Sequence, residues 1–203
     1  LLYSKDFYLP IFSFPLNKEI SNNGVMNESK TSTMLGLKGI PNLSEEIQIM
    51  RDIRILQYTG GKLHIPYIST GNSLELIKKA KNKGLNISCS TCIHNLFFND
   101  NELSGYNTKF KVLPPLRTQN DVDKLITGVK DGSIDIVTSD HNPLNIELKN
   151  VEFDNAEFGT IGLESFFGAL NKIFPIKTTI NILTKGKKIF GIEETSIKIG
   201  AQA

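Results

Sequence analysis

With 203 residues, 39% of them hydrophobic, the chain is long enough for one good core, and 23 Lys+Arg against 21 Asp+Glu leave it almost neutral. Its lysines are spread rather than clustered, so nothing points to nucleic acid or to an acidic membrane face, and Lys5, Asp6, Pro10 and Pro15 rule out a membrane span in the apolar start. Cys89 and Cys92 form a single C-x-x-C with no second pair for a zinc knuckle. The pair straddles a strand end instead of opening a helix, which disfavours redox chemistry, and this cysteine usage is expected of a reducing cytoplasm.

In chain order, residues 8–14 read as a strand that Pro10 enters irregularly, and Asn22-Asn23-Gly24 as a turn. Residues 34–40 are a glycine-spaced connector closed by Pro41. A long helix over 43–58 is expected to place Leu43, Ile47, Met50 and Leu56 on one face and Glu45, Glu46, Gln48, Arg51 and Asp52 on others, with Gly60-Gly61 as its stop. A strand over 62–68 leads to a helix over 74–82 that Asn72 or Ser73 caps, Glu75 making a capping box with Asn72, and Gly84 is the end. Residues 85–89 are another strand, and 91–100 an irregular apolar stretch carrying His94. Pro114-Pro115 breaks the chain before a helix capped by Asn120 and stopped by Gly132.

Ile134, Ile136 and Val137 then form a short β-branched run bounded by Gly132 and by Asn142-Pro143, the pattern of a buried parallel strand. A loop over 142–158 precedes helices over 163–174 and 179–190, and 196–199 can begin a further strand. This alternation predicts an α/β fold with a parallel sheet, either half of an eight-stranded barrel or a small doubly wound sheet. No glycine-rich phosphate loop follows any strand, which disfavours the nucleotide-binding form of the latter.

In such folds chemistry sits at the C-terminal ends of the strands. Ser13, Tyr67 with Ser69 and Thr70, His94, and Asp140 with His141 occupy those ends here. Asp140 and His141 together can bind a metal or move a proton; the alternative is that Asp140 caps the turn before Pro143. His94 is a ligand, a substrate contact or a histidine bonded to a loop carbonyl. His64, between Leu63 and Ile65, reads as a packed core histidine.

Five motifs in order carry a family likeness: L-G-L-K-G-I-P at 35–41, K-L-H-I-P-Y-I-S-T at 62–70, K-V-L-P-P-L-R-T at 111–118, S-D-H-N-P at 139–143 and F-G-T-I-G-L-E at 158–164. Together they resemble dihydroorotase of the cyclic amidohydrolase family, in its divergent Bacteroidetes-type spelling. The resemblance implies part of a metal-dependent, TIM-like (β/α)8 barrel, with residues 1–191 as its C-terminal half and 192–203 as the start of a flanking β-sandwich. The chain is accordingly expected to be a fragment of a longer protein.

The implied function is interconversion of carbamoyl-aspartate and dihydroorotate in pyrimidine biosynthesis. The implied cofactor is zinc or another divalent metal, two ions of which activate a water while an Asp shuttles the proton. Asp140 falls at the position of that catalytic and metal-binding Asp; His94, Arg117, His141 and Gly162 fall at substrate-contacting positions. Ser13 and Tyr67 stand where the family has metal-binding histidines, and Leu113 and Leu144 where it has polar substrate contacts. The H-x-H pair and the bridging ligand would lie upstream of Leu1. These replacements imply reduced or lost activity and leave two alternatives: a small-molecule enzyme with an altered ligand set, or a non-catalytic homologue. A homodimer, or aspartate carbamoyltransferase as a partner, follows from the resemblance alone. Allantoinase or hydantoinase specificity is disfavoured only by motif spelling.

Overall fold

The computed structural model describes residues 1–7, 9–192 and 199. After a 3-10 turn at Tyr3–Phe7 comes β1 (Pro10–Phe12), then α1 (Lys18–Ser21), β2 (Met26–Asn27), α2 (Lys30–Leu35), β3 (Gly39–Ile40) and the long α3 (Asn42–Thr59). There follow β4 (Lys62–Ile65), α4 (Gly71–Asn82), β5 (Ile87–Cys92) and α5 (Ile93–Phe97). The chain continues through α6 (Gln119–Lys130), β6 (Ile136–Thr138), α7 (Ile146–Lys149), α8 (Leu163–Ile173) and α9 (Ile176–Ile189). The main sheet has four strands in the order β1-β4-β5-β6, all parallel.

Strand register sorts the side chains into two faces, because successive residues of a strand point opposite ways. Leu63, Ile65, Ile87, Cys89 and Val137 face the helices. There they pack against Ile49 and Leu56 of α3, Leu74, Ile77 and Ala80 of α4, and Leu125 and Val129 of α6. Leu170 and Phe174, from α8 and its end, complete this core. The other face carries Phe12, His64 and Ser88 in one row and Ser90 with Ile136 in another, ending in Cys92 beside Thr138. Helices on one face and a partly polar opposite face make a section of barrel wall. The exit of α9 reaches that opposite face, where the Phe190 ring stacks on Phe12 at 5.5 Å and meets His64 edge-on at 5.6 Å.

His64 is the packed histidine its neighbours suggest: it is buried, with Nδ1 2.8 Å from Ser88 Oγ and Nε2 3.2 Å from Ser90 Oγ. Burial pushes its pKa down to about 4. Cys89 and Cys92 are both free and buried, and their spacing on one strand sends them to opposite faces. Burial pushes the Cys89 thiol up to about 12.

Several expected elements differ. The strand expected over 8–14 is confined to Pro10–Phe12, and Tyr8 lies outside the described residues. The glycine-spaced connector begins on the last two residues of α2, a helix that Ser29 caps and the left-handed Gly36 ends, and it closes with β3, paired in parallel with β2. The cap of α4 is Thr70, whose hydroxyl accepts from Ser73 N at 3.1 Å; Asn72 sits inside the first turn and donates to Glu46. α6 likewise starts earlier, after Thr118 rather than Asn120.

The largest departure is α3. Leu43 and Met50 are half exposed, while Ser44, Glu45, Gln48, Ile49, Asp52 and Leu56 are buried, because polar partners outside the helix receive its acids. β5 runs on to Cys92, so His94 begins a helical turn instead of an irregular stretch. The strand expected at 196–199 and the sandwich segment at 192–203 lie, for 193–198 and 200–203, outside the described residues. No described helix is long and apolar enough to cross a membrane.

Candidate functional site

The strand ends converge on Cys92, His94 and Asp140. Asp140, just past β6, takes φ 43°, and Tyr67, just past β4, takes φ 59°. Left-handed backbone costs a non-glycine residue ~1–2 kcal/mol and persists where surrounding structure imposes it. A sulfur of Cys92, a ring nitrogen of His94 and a carboxylate oxygen of Asp140 all lie within 4.8 Å of one another. His94 Nε2 is 3.7 Å from Asp140 Oδ2, too far for a hydrogen bond. Both ring nitrogens of His94 are buried without a hydrogen-bond partner.

Burial sets the charge states here. It pushes the His94 imidazole down to about 4, so the ring is neutral near pH 7 and its proximity to Asp140 is not an ion pair. Burial raises the Asp140 carboxyl, against a smaller lowering by the Cys92 thiol. The Cys92 thiol is raised well above its ordinary value, by burial first and then by Asp140. Burial, and the charges of Asp140 and Cys92, raise the Tyr67 phenol too. Beside His94 a cavity of ≈ 540 Å³ opens between α5 and α8, its walls including Phe97, Phe110, Ile161 and Ala169.

The remaining candidate residues stand apart from this cluster. Ser13 turns to the helix side, where its hydroxyl donates to Asp52 Oδ2 at 2.6 Å; the next residue, Phe14, meets the Tyr67 ring at 6.1 Å. Arg117 is 2% exposed and spends its donors inside the protein. They reach Ser69 Oγ at 3.0 Å, Asn27 Oδ1 at 2.9 Å and the Ile40 carbonyl at 2.8 Å, with Glu45 Oε2 at 3.7 Å. Enclosed this way, the guanidinium has its donors committed to partners within the protein.

His141 accepts at Nδ1 from the backbone N–H groups of Gly162 and Leu163, at 3.3 and 3.2 Å, and so caps α8. Gly162 is needed for close approach, since a Cβ there would lie 2.1 Å from the Ser139 carbonyl oxygen. Cys92 is the residue that sequence reasoning missed. Extending β5 by one strand period past Ser90 would have placed it on the inner face, two residues before His94.

The resemblance implies zinc, and the residues present can be tested against it. Ser13 is turned away and committed to Asp52, and Tyr67 offers a phenol that its surroundings keep protonated, so neither fits the imidazole positions of a binuclear site. Cys92, His94 and Asp140 are zinc-ligand types, and among the described residues they form a group close enough to share one ion.

Similarity to solved structures defines the fold. The crystal structure of dihydropyrimidinase from Brevibacillus agri NCHU1002 matches the whole chain with TM-score 0.84 at 22% identity, over 48% of that chain. L-hydantoinase from Arthrobacter aurescens matches the whole chain at 0.82 and 21%, again over 48% of its own length. The fold is thus a section of a TIM-like (β/α)8 barrel. Sequence narrows this further: the dihydroorotase of Endomicrobium trichonymphae is 43% identical over 200 residues, and that of Caldicellulosiruptor saccharolyticus 41% over 210. The chain is a dihydroorotase homologue. These alignments take in 95% and 100% of the chain but 47% and 49% of the relatives, so it spans about half the length of the curated relatives it matches. No protein-family model matches it.

Proposed function

We propose that the protein carrying this chain is a dihydroorotase-type cyclic amidohydrolase, interconverting carbamoyl-aspartate and dihydroorotate. The observation that carries this reading is Asp140, a carboxylate held by left-handed backbone just past the end of β6, facing a buried imidazole. Opening the ring adds water to its amide carbonyl and breaks the C–N bond. One proton leaves the attacking water and one must reach the departing nitrogen; on this reading Asp140 carries it between them. Ring closure runs the same transfers in reverse. A small-molecule substrate and a cytoplasmic setting belong to this reading.

A second reading is favoured by one specific observation. Ser13 is committed to Asp52 and Phe14 packs on Tyr67, so two strand ends that would carry chemistry carry hydroxyl and aromatic groups instead. On that reading the chain belongs to a non-catalytic homologue that partners aspartate carbamoyltransferase. The test is ring opening of dihydroorotate by the full-length protein and its Asp140→Asn variant. Turnover that falls by ~10²-fold or more in the variant supports the enzyme. No turnover from a well-folded wild-type sample supports the partner reading.

A further inference from the structure

We propose that Cys92, His94 and Asp140 together bind one divalent cation of the zinc class, a ligand set distinct from the positions at which the family likeness expects histidines. The inference concerns binding alone and holds for either reading of function.

Chemistry and geometry agree. Thiolate, imidazole and carboxylate are zinc's ordinary ligands, and in a tetrahedron with bonds of ~2.0–2.3 Å neighbouring ligand atoms stand roughly 3.3–3.6 Å apart. The His94–Asp140 separation of 3.7 Å is already near that edge, and all three donor atoms lie within 4.8 Å of one another, so small side-chain rotations close the site. Three protein ligands leave the fourth position to water or a small molecule.

The independent observation is His94. It is 6% exposed, yet neither ring nitrogen has a hydrogen-bond partner. Buried polar atoms are paired in the great majority of cases, and leaving one unpaired costs ~1–3 kcal/mol. A packed core without a metal accounts for Cys92 and Asp140 but leaves His94 unexplained. His64 shows the contrast: also buried, on β4 of the sheet, it has a serine hydroxyl at each nitrogen. A cation at Nε2 gives His94 a partner there. Local backbone cooperates, because β5 delivers Cys92 as its last inward residue, α5 lifts His94 beside it, and the left-handed Asp140 turns back from β6.

The experiment uses full-length protein stripped with a chelator and titrated with Co(II) as the spectroscopic stand-in for zinc. A thiolate ligand produces a sulfur-to-cobalt charge-transfer band in the near ultraviolet, which nitrogen and oxygen ligands elsewhere in the protein cannot give. The expected result is such a band at one equivalent, displaced by Zn(II) and absent from Cys92→Ser. His94→Ala should weaken the cobalt affinity that the band reports by at least tenfold. No band in the folded wild type overturns the proposal whatever the variants do. A band unchanged in Cys92→Ser also overturns it, by placing the thiolate elsewhere.

Discussion

Replacing Arg117 with alanine should remove about 4 kcal/mol from the unfolding free energy of the full-length protein, within the ~3–5 kcal/mol seen when one partner of a buried ion pair is deleted. The guanidinium is 2% exposed and joins three segments: the β2 residue Asn27, the β3 carbonyl of Ile40, and Ser69 in the turn after β4. Its ionic partner Glu45 is 1% exposed and accepts from the Ser69 and Thr70 N–H groups, at 2.9 and 3.1 Å, and from the Ser69 hydroxyl. Truncation leaves that carboxylate with amide and hydroxyl donors but no opposing charge. It also strips acceptors from Asn27 and Ile40 of their donor. Against a total stability of ~5–15 kcal/mol this is a severe loss. Urea titration followed by far-ultraviolet circular dichroism would show it as a midpoint lower by about 1.3–2 M, for a slope of ~2–3 kcal/mol/M. The Arg117→Ala/Glu45→Ala pair should lose less than the sum of the singles, because the double variant buries no orphaned charge. A single-variant loss below about 1 kcal/mol, or strict additivity, would refute the account of Arg117 as an internal clamp.

Three further outcomes are expected. His64 has its pKa held near 4 against an ordinary 6.5, so the unfolded chain binds a proton that the native protein refuses. Stability should fall as pH drops from 6.5 towards 4, by about 2 kcal/mol from this residue, and the wild-type loss should exceed that of His64→Gln by that amount in denaturant titrations at the two ends of the window. Equal pH dependence of the two proteins would remove the assignment. Gly162→Ala forces a Cβ to within 2.1 Å of the Ser139 carbonyl oxygen and should cost ~1–3 kcal/mol, read as a lower melting temperature; an unchanged Tm would mean that the loop yields freely. His141→Ala removes the acceptor at the start of α8 and should cost ~1 kcal/mol, with His141→Asn restoring most of it if capping is its role.

Elements with local punctuation could be read from the chain. α4 and α6 carry apolar residues at helical spacing and stop at Gly84 and Gly132, and the run through Ile136 and Val137 reads as a strand without help from elsewhere. The buried face of α3 could not be read, because what makes Glu45 and Asp52 interior residues is Ser69, Arg117 and Ser13, far along the sequence. Asp140 and His94 were visible as candidates, since strand ends mark themselves. The burial of Arg117 was hidden for the same reason as that of α3: a charge looks exposed until its distant partner is seen. Cys92 reads only as half of a C-x-x-C, because a strand ending at Cys89 loses the alternation that sends position 92 inward.

The polar underside of α3 also bears on the order of assembly. An amphipathic helix can settle early onto any apolar surface, since the hydrophobic effect has no direction. α3 presents Ser44, Glu45, Gln48 and Asp52 on its buried side, with Ile49 and Leu56 for grip. Desolvating those acids is unfavourable until the turn after β4 supplies its N–H groups and the segment around Arg117 supplies its charge. Docking of this helix therefore waits on contacts distant in sequence, whose loop-closure entropy is met first. The same chemistry guards against error: a misregistered α3 would bury a carboxylate with nothing opposite, and would be expelled rather than trapped.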